Sequence, residues 1–159
     1  MSNFTKLISI LPRNKVFLGG TCTSNWRNKL LTKLDESGIM YFNPVVDDWT
    51  PECIEVEDDE KNNKCNIHLY YIDSSMSGVY SIAELVKSCY DTILKSNVDL
   101  VLFVVNSDGF SDSQIRSFNA VGRLVKMVTD KVIYELTNKD EFIDDLYKLI
   151  LKSSEIDFE

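Results

Sequence analysis

Glu84 stands where an α/β protein places its chemistry. It follows the apolar run Ile67-His68-Leu69-Tyr70-Tyr71-Ile72 and the turn-forming Ser77-Gly78, and it falls near the start of a helix read from about Val79 to Lys95. In an open parallel sheet the strand ends form a crevice, and the first helical amides point unpaired N–H groups into it. A carboxylate at that turn is the leading candidate for reaction chemistry. The same residue also fits a structural role, because Ser81-Ile82-Ala83-Glu84 has the spacing of a capping box, in which Glu84 would reach back to the Ser81 amide.

Other reactive residue types carry weaker signals. Cys22, Cys53, Cys65 and Cys89 are widely spaced, contain no C-x-x-C pair and have only His68 as an imidazole partner, so the pattern argues against a zinc site. They read as small apolar residues, with Cys22, beside Gly19-Gly20, as an alternative reactive thiol. His68 lies within a strand and reads as structural. The run Glu55, Glu57, Asp58, Asp59, Glu60 reads as the wet face of a short helix from Glu52 to Asn63.

The elements around these residues alternate. Lys15 to Leu18 reads as a first strand stopped by Gly19-Gly20, followed by a helix from Trp26 to Ser37 closed by Gly38, and a second strand from Ile39 to Phe42. Asn43-Pro44 opens a loop containing Asp47, Asp48 and Trp49. The third strand and the Glu84 helix come next, and the helix carries apolar residues at Val79, Ile82, Ala83, Val86, Cys89, Tyr90, Ile93 and Leu94, leaving Glu84 off the stripe. Asp99 to Val105 is a nearly continuous apolar run, as in a central parallel strand. Ser111 to Met127 reads as a helix and Lys131 to Leu136 as a fifth strand; Asn138 to Glu141 has capping-box spacing before a last helix. The expectation is a single α/β domain, with its core from about 15 to 152, built on a doubly wound five-stranded parallel sheet of flavodoxin-like or Rossmann-like type.

Composition narrows the partners. The 159 residues carry a net charge of -8 and a pI of 4.7, which argues against a general grip on nucleic acid and for a small ligand. The apolar stretches are too short to span a bilayer and the N-terminus lacks the features of a signal peptide, so a cytoplasmic protein without membrane attachment is expected.

Four segments, in order, resemble one family. Val16-Phe17-Leu18-Gly19-Gly20-Thr21 with Trp26-Arg27, Phe42-Asn43-Pro44 with Asp48-Trp49, the Tyr70-Tyr71-Ile72 strand, and Met76-Ser77-Gly78-Val79-Tyr80-Ser81-Ile82-Ala83-Glu84 are similar to the nucleoside 2-deoxyribosyltransferase-like proteins, including small members from bacteria and phages. The resemblance implies a nucleoside or nucleotide substrate held at the strand ends, Glu84 as nucleophile at C1′ of the sugar, and Asp58 as the acid that handles the base, with Glu57 and Asp59 as neighbours if the register slips. No cofactor and no metal are expected, and the resemblance implies a homo-oligomer in which a neighbouring subunit completes each site. Gly19 and Gly20 would let the backbone approach the ligand, with Thr21 next to them also binding substrate, and Asn43, Asp48 and Trp49 would supply polar contacts and a stacking or packing wall. Trp26 and Trp49 read equally well as core.

Two positions depart from the family pattern. Phe17 occupies the place of a tyrosine that orients the nucleophile, and Gly78 occupies the place of an acidic or hydroxyl residue six before the glutamate. Ser77, Tyr80 and Ser81 carry hydroxyls near the same turn. A binding protein that keeps the pocket without turnover is the alternative to an enzyme of N-glycosidic bonds.

Overall fold

The computed structural model describes residues 14–94 and 97–158. Residues 1–13, on which the signal-peptide reading rests, and Lys95, the expected helix end, lie outside the described residues. The strands are β1 (Lys15–Gly20), β2 (Met40–Phe42), β3 (Ile67–Ile72), β4 (Leu100–Asn106) and β5 (Val132–Thr137). All neighbours pair in parallel, in the order β2-β1-β3-β4-β5. That order is flavodoxin-like, with its reversal between β1 and β3. The helices are α1 (Trp26–Glu36), α2 (Glu52–Asp59), α3 (Tyr80–Leu94), α4 (Asp112–Val128) and α5 (Phe142–Ser154), and a π-helical turn, Glu60–Lys64, continues α2.

The two-residue period of the strands sorts the core into two layers. Ile67, Leu69 and Tyr71 of β3 face Trp26, Leu30 and Leu34 of α1 and Leu146 and Ile150 of α5, whereas Tyr70 and Ile72 face Leu85 and Cys89 of α3 and Val125 of α4. With helices on both faces, β3 and β4 are buried along their whole length.

Several local expectations change. Gly19 and Gly20 do not stop β1; they pair with Tyr70 and Tyr71, and the strand runs through them. The reason at Gly20 is close approach: its φ is +114°, and a Cβ there would lie 2.0 Å from the Tyr71 carbonyl oxygen. The absent side chain lets the ladder continue into Thr21, whose N–H donates to that carbonyl at 2.8 Å. Asn138 forms half of the expected box, its Oδ1 accepting from the Glu141 amide at 3.1 Å, and α5 begins only at Phe142. A complete capping box lies instead at α4, where Ser111 and Gln114 exchange both bonds.

Candidate functional site

Hydrogen bonds tie down the two loops at the reversal point. Arg27, although buried, donates from Nε to the Leu18 carbonyl and from Nη1 to the Thr21 carbonyl, both at 2.8 Å, and Trp26 Nε1 donates to the same Thr21 oxygen at 2.8 Å. Burial pushes the guanidinium pKa down, against the opposing pull of Cys22, Glu57 and Asp73. The loop after β3 is tied to this one. Asp73 accepts from Ser75 N at 3.0 Å and from Ser24 Oγ, and its own amide donates to Thr21 Oγ1 at 3.1 Å. Thr23 Oγ1 donates to the Ser75 carbonyl.

Between these loops opens a cleft of about 510 Å³. Its lining comes from β1 and the loop after it (Phe17, Gly19, Gly20, Thr21, Cys22), from Trp49 and Glu57, and from the turn into α3 with Met76, Ser77, Gly78, Tyr80, Ser81 and Glu84. Gly19, Gly20, Thr21, Trp49, Ser77, Gly78, Tyr80, Ser81 and Glu84 are therefore brought together around one space. Trp49 is 60% exposed and Tyr80 76% exposed, so both rings stand at the rim with free surface. Trp26 is core, packed 4.7 Å from the Tyr71 ring.

Three residues named from the sequence lie elsewhere. Asp58 is exposed and outside the cleft, and Glu57 lines it instead. Successive helix residues point about 100° apart, so placing Glu57 inward turns Asp58 out. Asp48 is exposed and not part of the lining. Asn43 accepts from the Val45 amide at 3.1 Å and borders an adjoining groove with Asn28 and Asp47, which shares Cys22, Arg27 and Val45 with the cleft.

The Glu84 carboxylate does not close a capping box. It pairs through Oε1 with Lys61 Nζ, a partner the sequence reading missed. Lys61 lies on the π turn, is 8% exposed, and sits 5.1 Å above the Phe17 ring. The signal available in the sequence was its place four residues after Glu57, one helical turn on. The inward turn of Lys61 is held from β3. His68 is fully buried, its imidazole pushed down to about 4 mainly by burial, so it is neutral at physiological pH. Its Nε2 faces the carbonyls of Lys61 at 2.7 Å and Cys65 at 3.2 Å, which only accept, so Nε2 carries the proton. Nδ1 then accepts from Ser88 Oγ at 2.9 Å, and Ser88 in turn accepts from the Tyr70 hydroxyl at 2.7 Å. The structural reading of His68 matches these bonds.

Glu57 is the second carboxyl of the cleft. Burial raises its pKa above the ordinary value, and while the Lys61 cation opposes that, the nearby Glu84 and Asp58 carboxylates add to it and Arg27 opposes it. The arrangement thus pairs one carboxylate neutralised by a lysine with another biased toward its protonated form. Such a split suits one nucleophile and one proton donor.

The sequence model for proteins described as nucleoside 2-deoxyribosyltransferase like matches residues 13–94, just over half of the chain. No curated protein matches it. The matched span contains β1 to α3 and with them every residue lining the cleft, and the chain belongs to the nucleoside 2-deoxyribosyltransferase-like family.

Proposed function

We propose that the protein acts on N-glycosidic bonds of nucleosides or their monophosphates, transferring or hydrolysing the deoxyribosyl group. The observation that carries this reading is the pair of unlike carboxyls, Glu84 and Glu57, lining one cleft together with the exposed Trp49 ring. Glu84 attacks C1′; the C1′–N bond breaks, its electron pair leaves with the base, and Glu57 supplies the proton that the base requires. Water or a second base then attacks C1′, Glu57 takes the incoming proton, and the C1′–O bond breaks with its electrons returning to Glu84. Glu57 replaces Asp58 in this assignment because only Glu57 borders the cleft. A 5′-phosphate would meet the amides and hydroxyls at the start of α3 around Ser77 and Ser81.

A second reading follows from the Glu84–Lys61 ion pair, which already occupies one oxygen of the nucleophile. Under it the cleft binds a nucleoside-derived molecule and returns it intact. Chromatography of deoxynucleosides and their monophosphates, with and without a second free base, separates the readings. Release of base that falls on the order of a thousandfold in Glu84→Gln supports the enzyme. Binding without product, in wild type and variant alike, supports the receptor.

A further inference from the structure

The Lys61–Glu84 pair is hard to explain by stability. A buried ion pair is weak evidence for stability, since the desolvation of both groups offsets much of their attraction. This pair is also built at a cost in local regularity. The chain leaves α-helical geometry for a π turn immediately before Lys61, closed by the Cys65 amide donating to the Glu60 carbonyl at 2.7 Å, and the buried chain Tyr70–Ser88–His68 ends on the Lys61 carbonyl of that turn. All of this aims one cation at one carboxylate oxygen. Phe17 lies beneath it as a flat apolar floor that offers no hydrogen-bond donor, leaving Lys61 as the donor above that ring.

We propose that Lys61 is a positioning residue of the reaction, holding Glu84 by Oε1 so that Oε2 faces the sugar. The inference rests on Glu84 being the nucleophile. In the first step the fixed carboxylate has one oxygen left to form the bond to C1′. In the second step Glu84 is the leaving group, and as the C1′–Oε2 bond breaks the carboxylate charge returns to a site already facing an ammonium group. Lys61 exchanges no proton in either step. Its contribution is a fixed angle of attack and a neutralised leaving carboxylate, both of which act on turnover rather than on substrate affinity.

Steady-state base release by Lys61→Met, Lys61→Arg and the Lys61→Met/Glu84→Gln double variant tests this. Methionine keeps length and apolar stem, so melting near wild type is expected, with kcat down about a hundredfold and KM within about threefold. Arginine keeps the charge and restores kcat to within about tenfold of wild type. The double variant is no slower than Glu84→Gln alone, because a lysine that acts only through Glu84 has nothing left to position. Wild-type kcat in Lys61→Met, a faster Lys61→Met as expected of a masking pair, equal losses in kcat and affinity, or multiplied effects in the double variant would each overturn the proposal. If Lys61→Met does not fold, Lys61→Arg decides alone: at least a tenth of wild-type kcat supports positioning, and less overturns it. An inactive wild type removes the enzyme reading and this inference together, whereas an active wild type indifferent to Lys61 removes only this one.

Discussion

Glu57→Gln removes the proposed proton donor and keeps its shape. Positioned acid–base groups contribute about 10²–10⁴ in rate, equivalent to about 2.7–5.5 kcal/mol of activation free energy. The surroundings of Glu57 place it at the lower end. Its side chain is only half-buried, and the Lys61 and Arg27 cations work against the burial that raises its pKa. A loss of about a hundredfold in kcat is expected, smallest for substrates whose base leaves readily without protonation. In wild type the donor form disappears as pH rises through the raised pKa, so activity falls on the alkaline side and that limb is absent in Glu57→Gln. Stability moves in the other direction. A carboxyl raised above its ordinary 4.5 binds more protons folded than unfolded, so its charge lowers stability progressively as pH climbs from about 4.5 through the folded value. Glu57→Gln should therefore melt at or above the wild-type temperature at pH 7, with the difference vanishing below about pH 4. Rate–pH profiles and thermal melts across pH 4–9 check both arms. Unchanged kcat together with an unchanged alkaline limb would refute the assignment of Glu57 as the acid.

Gly20→Ala introduces a Cβ against the Tyr71 backbone at φ +114°, and strain of this kind costs about 2 kcal/mol or more, lowering Tm by about 6 °C, as calorimetry would show. Trp49→Ala removes an exposed ring from the cleft rim, so melting should stay near wild type while KM rises about tenfold through lost base stacking; equal effects on Tm and KM would mark Trp49 as packing instead. Titration calorimetry should rank a deoxynucleoside or its monophosphate above a single-stranded oligonucleotide at moderate salt, because a net charge of -8 supplies little counterion-release drive.

The sheet was legible because its strands are apolar runs separated by helices of clear 3.6 periodicity, and burial on both faces makes β3 and β4 continuous rather than alternating. Element ends slipped by a residue or two where the ladder, not composition, decides them, as at Gly19 and Gly20. The positions around the cleft were legible where turn chemistry and family motif coincide, in the span from Ser77 to Glu84. The acidic segment was not. Composition marks the stretch from Glu55 to Glu60 as a solvated face, and nothing in it announces the π turn that swings Lys61 inward or the one-residue rotation that selects Glu57 over Asp58. The Lys61 carbonyl of that turn is held by His68 of β3. A side-chain bond from a strand to a backbone carbonyl leaves no periodic trace in the sequence.

The central claim is a covalent bond between Glu84 and the sugar. Incubation with a 2-fluoro-2-deoxynucleoside, whose electron-poor sugar slows the second step, followed by rapid acid quench and peptide mass spectrometry, reads that bond directly. The expected result is the mass of a fluorodeoxyribosyl group on the peptide containing Glu84, released base in equal amount, and neither in Glu84→Gln. Base release without any adduct at Glu84, or an adduct that persists in Glu84→Gln, would contradict it.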